Sequence, residues 1–312
     1  MAPEVACAAS VFLGLGAKYA TEGRQKRFIK NAFRQYLSPE VIDQIIAHPE
    51  RLRLGGERRM LTMFFSDLQG FTSISENLTP DALTILLNDY LTAMTDIIID
   101  LGGTVDKYEG DAIIAFWNAP LEIPRHAEKC VEAALKCQEK LSRMRPDFYT
   151  RTGHELHMRI GINTGFAIVG NFGSHTKFDY TMLGDAVNLA ARLEGVNKQF
   201  GTYTMVSEFT RKEIGDTFAF REIGRVAVVG RKQTVTVFEP MRRQAYEARK
   251  EIHSAFEKGL GFFYEGHFSQ AHDIFSAHTR QDPPSAAYGA KCAVLIKNPP
   301  SEWSGVWIMT EK

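Results

Sequence analysis

The chain has 312 residues, 44% of them hydrophobic and 24% charged, enough for one large core or two modest ones. Lysine plus arginine balances aspartate plus glutamate at 37 each, and the lack of a basic excess argues against a dedicated nucleic-acid binder. Cys7, Cys130, Cys137 and Cys292 show no C-x-x-C spacing, which excludes a disulfide scaffold in so long a chain and leaves reduced, mostly core thiols of a cytosolic protein.

Residues 1–23 carry an apolar run, VACAASVFLGLGAKYA, interrupted by Lys18. A membrane-spanning helix needs about 20 apolar residues, so the run is short. It is followed by RQKR, a basic flank that suits the cytoplasmic side of a membrane. Two readings stay open: a buried N-terminal helix, or the last part of a membrane anchor. Residues 24–57 read as a helical coupling segment. Phe28, Ala32, Phe33 and Tyr36 recur at helical spacing, Ser38-Pro39-Glu40 opens a second helix, and LRLGGERR at 52–59 reads as a solvated linker.

A domain over 58–240 follows, with its first strand, MLTMFFSDL, expected from Met60. Thr79-Pro80 opens a helix that Gly102-Gly103 closes. TVDKY and DAIIAFW read as a hairpin across Glu109-Gly110. A helix over 124–144 precedes ELHMRIGINTG and FAIVGNFG, two strands expected to part near Gly165. GDAVNLAARLEGVNKQFG is a helix ending near Gly201; TYTMV, a short helix, FAFREIGRVAVV and QTVTVFEP complete an α+β pattern. Residues 241–312 change to helix, with a helix-turn-helix rhythm like one tetratricopeptide unit and a tail carrying Trp303, Val306 and Trp307.

Asp67 ends an apolar strand, and Gly70 beyond it allows the backbone to turn. Asp111 lies beside the hairpin. Either aspartate alone reads as a solvent-facing strand end. Together they are a plausible carboxylate pair for Mg²⁺ or Mn²⁺, hard ions that work with substrate phosphates.

FFSDLQGFTSISE, GGTVDKYEGDAIIAFWNAP, RIGINTGFAIVGNFGS and FDYTMLGDAVNLAARLE, in this order, closely resemble the catalytic domain of class III nucleotidyl cyclases, in particular the bacterial class IIIb adenylate cyclases. The resemblance implies a ferredoxin-like, palm-type α+β domain with an antiparallel-rich sheet, working as a head-to-tail homodimer with sites at the interface. It implies two Mg²⁺ or Mn²⁺ per site on Asp67, Asp111 and the Leu68 carbonyl, with Phe71 and Thr72 in the adjoining substrate-binding turn. In such a reaction the 3′-hydroxyl of ATP attacks the α-phosphate and pyrophosphate leaves.

The same resemblance assigns base reading to Lys107 and Thr181. An ammonium can only donate, which suits adenine N1, and a hydroxyl can accept from the N6 amine. Guanine reverses that pattern. Asn188 and Arg192, four apart on one helix, are implied to orient the ribose and stabilise the reacting phosphate; by spacing alone they are equally a helix-surface pair. Where the family has Gly-Lys before the last strand, this chain has Gly230-Arg231-Lys232, so Arg231 or Lys232 is implied to bind the terminal phosphates. The Trp-containing tail and FRQYLSPEVIDQII resemble bacterial cyclases with a membrane-embedded sensory region upstream, which implies a cytoplasmic catalytic domain, membrane-associated through the N-terminal segment. Two alternatives remain: a guanylate cyclase, disfavoured by Lys107 and Thr181, and an inactive dimeric signalling module, disfavoured because both aspartates and the Asn/Arg pair are present. The diguanylate cyclases would show a GG[DE]EF-type hairpin in place of YEGD.

Overall fold

Apolar residues at every second position build the centre of the molecule. The structure is a computed structural model that describes residues 54–174, 176–227 and 234–309. The N-terminal readings over 1–53, with Cys7, therefore lie outside the described residues, as do Arg231 and Lys232.

Strand β1 (Gly55–Leu68) sends Phe64 and Leu68 to one face of the sheet and Leu61 and Met63 to the other. It begins at Gly55, not at Met60. The GGERR stretch read as linker pairs with β4, Gly56 opposite Gly170. A side chain at Gly170 would meet the Gly55 carbonyl at 2.2 Å, so the glycines serve a close backbone approach here and not a flexible joint.

After β1 come the short helix α1 (Phe71–Glu76) and α2 (Pro80–Asp100), whose N-cap Thr79 accepts from the Ala82 amide at 3.3 Å. Among the described residues α2 is the helix long and apolar enough to cross a membrane, but its Leu86, Tyr90, Met94 and Ile98 lie in the core. Strands β2 (Thr104–Glu109) and β3 (Ala112–Trp117) form the expected hairpin. Its link is one residue later than expected: Glu109 pairs with Ala112, and Gly110 (φ 68°) and Asp111 make the turn.

Helix α3 (His126–Thr152) runs past the expected end and through Pro146, because Phe148 on its last turns is fully buried in the core. Strand β4 (Met158–Gly173) is continuous where a break was expected. Gly165 pairs with Leu61 in register, and a Cβ there would lie 3.0 Å from that of Ala186; the glycine makes room for the next helix and does not turn the chain. Then follow β5 (Phe178–Leu183), α4 (Asp185–Phe200), β6 (Thr204–Ser207), α5 (Glu208–Lys212), β7 (Ala219–Ala227) and β8 (Val235–Met241). The C-terminal part holds α6 (Arg243–Ala248), α7 (Lys250–Tyr264), α8 (Phe268–Ser276), α9 (Pro283–Lys297) and β9 (Trp307–Ile308).

The described strands form one sheet in the order β2-β3-β1-β4-β6-β8-β7-β9, with β5 paired to β4. Only β4–β6 and β7–β9 are parallel, so the sheet is antiparallel-rich, within the α+β architecture expected. Helices α2 and α3 cover one face, where Cys130 and Cys137 are buried as free thiols. Helix α4 covers the other face and continues into a second core shared with the C-terminal helices. There Tyr288 is the hub: its ring lies 4.8 Å from Phe263, 4.9 Å from Trp307 and 5.6 Å from Phe200, and its hydroxyl donates to the Ile223 carbonyl at 2.8 Å.

Candidate active site

The end of β1 and the β2–β3 turn bring Asp67, Leu68 and Asp111 together. The Leu68 amide donates to Asp111 Oδ2 at 2.9 Å, which holds the turn against the strand end. Burial pushes the Asp111 carboxyl up to about 6, Asp67 adds to that push, and the Leu68 amide opposes it. A carboxyl whose proton affinity is raised by burial and by a neighbouring carboxylate is relieved by a divalent cation, so this donor set fits one. Among the described residues no third acidic, histidine or cysteine side chain completes a metal cluster. Mg²⁺ is commonly held in this way, by one or two carboxylates with substrate phosphates and water.

Arg159, on β4, was not singled out by the sequence, where it reads as an ordinary outward member of RIGIN. Its guanidinium lies 3.3 Å from Asp67 Oδ2 and 2.9 Å from Glu194 Oε1 on α4. It thus ties the strand end to the helix. Burial pushes the Glu194 carboxyl up to about 7, against the pull of Arg159.

Gly70 adopts a left-handed conformation (φ 71°) and caps α1. Phe71 packs partly into the core, and Thr72 faces solvent in the same turn. Both therefore sit immediately beyond the carboxylate pair.

A second cluster joins β2 to β5. Thr181 Oγ donates to Asp106 Oδ2 at 2.5 Å, and Lys107 Nζ lies 3.6 Å from Asp106 Oδ1. Lys107 and Thr181 are thus brought to one place, with Asp106 between them. Asp106 carried no signal in the sequence: in alternating TVDKY it is the neighbour that should face away from Lys107. The register of β2 shifts between Val105 and Lys107, and Asp106 is the extra residue of that bulge. Its carboxyl is raised by burial, against Thr181 and Lys107.

Asn188 and Arg192 lie on α4, Asn188 exposed and Arg192 half-buried, beside the face formed by Leu189, Leu193 and Val196. The helix lies directly on β4, because a Cβ at Gly161 would be 2.2 Å from the Glu194 amide. Among the bonds the structure details, no hydrogen bond or ion pair joins Asn188 or Arg192 to either cluster.

Residues 57–239 match the model of the adenylate and guanylate cyclase catalytic domain. Adenylate cyclase 1 of Rhizobium meliloti is 34% identical over 182 residues, which cover 58% of this chain and 27% of that protein. Among solved structures, the adenylyl cyclase CyaB from P. aeruginosa aligns with a TM-score of 0.57 at 36% identity, over 61% of this chain and 98% of its own. The guanylyl cyclase Cya2 aligns almost as well, with a TM-score of 0.56 at 33% identity over 62% of this chain and 98% of its own. The chain spans less than half the length of three curated adenylate cyclases it matches, at 27%, 13% and 42%.

Proposed function

Because the chain belongs to the adenylate and guanylate cyclase catalytic-domain family, we propose that it converts ATP to 3′,5′-cyclic AMP and pyrophosphate. Likeness to cyclases of both purines leaves the base to be argued from side chains. The observation that carries adenine is the pairing of Lys107 with Thr181 around Asp106. A donor-only ammonium matches the N1 acceptor of adenine, and the hydroxyl oxygen accepts from its N6 amine. Guanine would set its N1–H against the ammonium, a mismatch of about 1–3 kcal/mol.

In this reading the 3′-oxygen of ATP forms a bond to the α-phosphorus as the bond to the bridging oxygen breaks. The hydroxyl proton passes to solvent, and pyrophosphate departs. Divalent cations held by Asp67, Asp111 and the Leu68 carbonyl would supply Lewis-acid activation of that hydroxyl and neutralise the triphosphate. Phe71 and Thr72 shape the turn beside the triphosphate. Arg192 stabilises charge gathering on the α-phosphate, Asn188 orients the ribose, and Arg231 or Lys232 grips the terminal phosphates.

In this reading, as the family resemblance implies, the site is shared between two protomers, the aspartates from one and the remaining groups from the other. Product identification from ATP and GTP, with Mg²⁺ or Mn²⁺ and Asp111→Ala as control, tests the activity. Cyclic AMP is expected, with at least a hundredfold loss, roughly, in the control. A predominance of cyclic GMP would overturn the adenine assignment.

A further inference from the structure

Threonine is a poor discriminator of purines by itself. Its hydroxyl carries one proton and two lone pairs, so a free rotor accepts from an amine or donates to a carbonyl equally well. In this protein the rotor is not free. Thr181 is buried, and its hydroxyl donates to Asp106 Oδ2 at 2.5 Å. The Asp106 side chain is only 2% exposed, and its other oxygen faces the Lys107 ammonium at 3.6 Å.

We propose that Asp106 is a specificity-determining positioning residue: by taking the Thr181 proton it fixes that hydroxyl as an acceptor toward the purine 6-position. The proposal rests on the adenine reading of Lys107 and Thr181 and deepens it. One carboxylate then serves both readers of the base. It commits the hydroxyl proton on one oxygen and attracts the ammonium with the other from 3.6 Å, without a hydrogen bond, so the ammonium protons stay available. A 6-amino group meets a lone pair at Thr181, and a 6-oxo group meets a second acceptor. The bulge at Asp106 makes this possible, because regular alternation would turn Asp106 away from Lys107.

The test compares kcat/KM for ATP and ITP, since inosine carries the 6-oxo group and N1–H of guanine without its 2-amino group. In Asp106→Asn the side-chain amide can donate to Thr181 Oγ and release the hydroxyl proton toward the base. The ATP-to-ITP ratio is expected to fall about tenfold, the effect of one neutral hydrogen-bond mismatch. Asp106→Ala removes the buried charge altogether and should shift the ratio in the same direction, so the test does not depend on the amide being accommodated. In a Thr181→Val background neither change should alter the ratio further.

A purely structural defect would lower turnover of both nucleotides and leave the ratio where it was. An unchanged ratio in folded Asp106→Asn and Asp106→Ala, with Thr181→Val still lowering it, overturns the role of Asp106 alone. If Thr181→Val leaves the ratio unchanged, the base-reading assignment falls and the proposal with it.

Discussion

Gly161 shows how one missing side chain fixes the spacing of the candidate site. A Cβ there would press on the Glu194 amide and on the Ala190 carbonyl at 2.4 Å, both backbone atoms that cannot rotate away. Gly161→Ala is expected to cost about 1–3 kcal/mol in chemical denaturation by overpacking. It should also lower kcat by shifting α4, which carries Asn188 and Arg192. At this scale the sequence was legible where a residue broke a pattern. Asp67 and Asp111 stand out as charges beside apolar strands. Asp106 and Arg159 did not, because each fits the expected alternation, and only a bulge and a cross-element ion pair give them their surroundings.

Helices with sequence caps were readable almost to the residue, as with Thr79 and Gly201 around α2 and α4. The strands were less so. Gly55, Gly56 and Gly165 read as joints, yet each lies in a paired strand, because glycine also marks where another backbone or helix must come close. The link between the sheet and the C-terminal helices was invisible beforehand. Arg221 on β7 reaches Asp282, before α9, at 2.7 Å and Glu239 on β8 at 2.8 Å. Arg221→Ala would strand the fully buried Asp282 and is expected to destabilise by about 3–5 kcal/mol in urea titration. His253 on α7 is buried, and burial together with Arg221 and Arg249 pushes it down to about 4. The unfolded chain takes that proton near pH 6.5, so stability is full above that value and is lost as pH falls toward 4. Between pH 7 and pH 5 the loss should approach about 2 kcal/mol, and His253→Phe should flatten that limb of the profile in thermal melts.

Across the whole molecule, α4 takes part in both cores, with Val187 and Ala190 in one and Leu193 and Phe200 in the other. The sequence indicated α+β but not the strand order, since β4 joins β1 on one side and β6 on the other through contacts far apart in the chain. At this scale the shared-site proposal predicts complementation. Asp67→Ala and Lys107→Ala proteins, each inactive alone, should regain activity when mixed, up to about a quarter of wild type if protomers pair at random and one of the two sites in each heterodimer is intact. Absence of recovery in a proven heterodimer refutes the shared site. The last strand has a consequence of its own. Pairing of β9 with β7, fastened by the Met309 amide to the Ala227 carbonyl at 3.0 Å, covers the end of that strand at Val226 and Ala227, backbone that would otherwise invite strands from other molecules. A chain cut after Asn298 should therefore polymerise on standing, with rising light scattering, even where its catalytic residues are untouched.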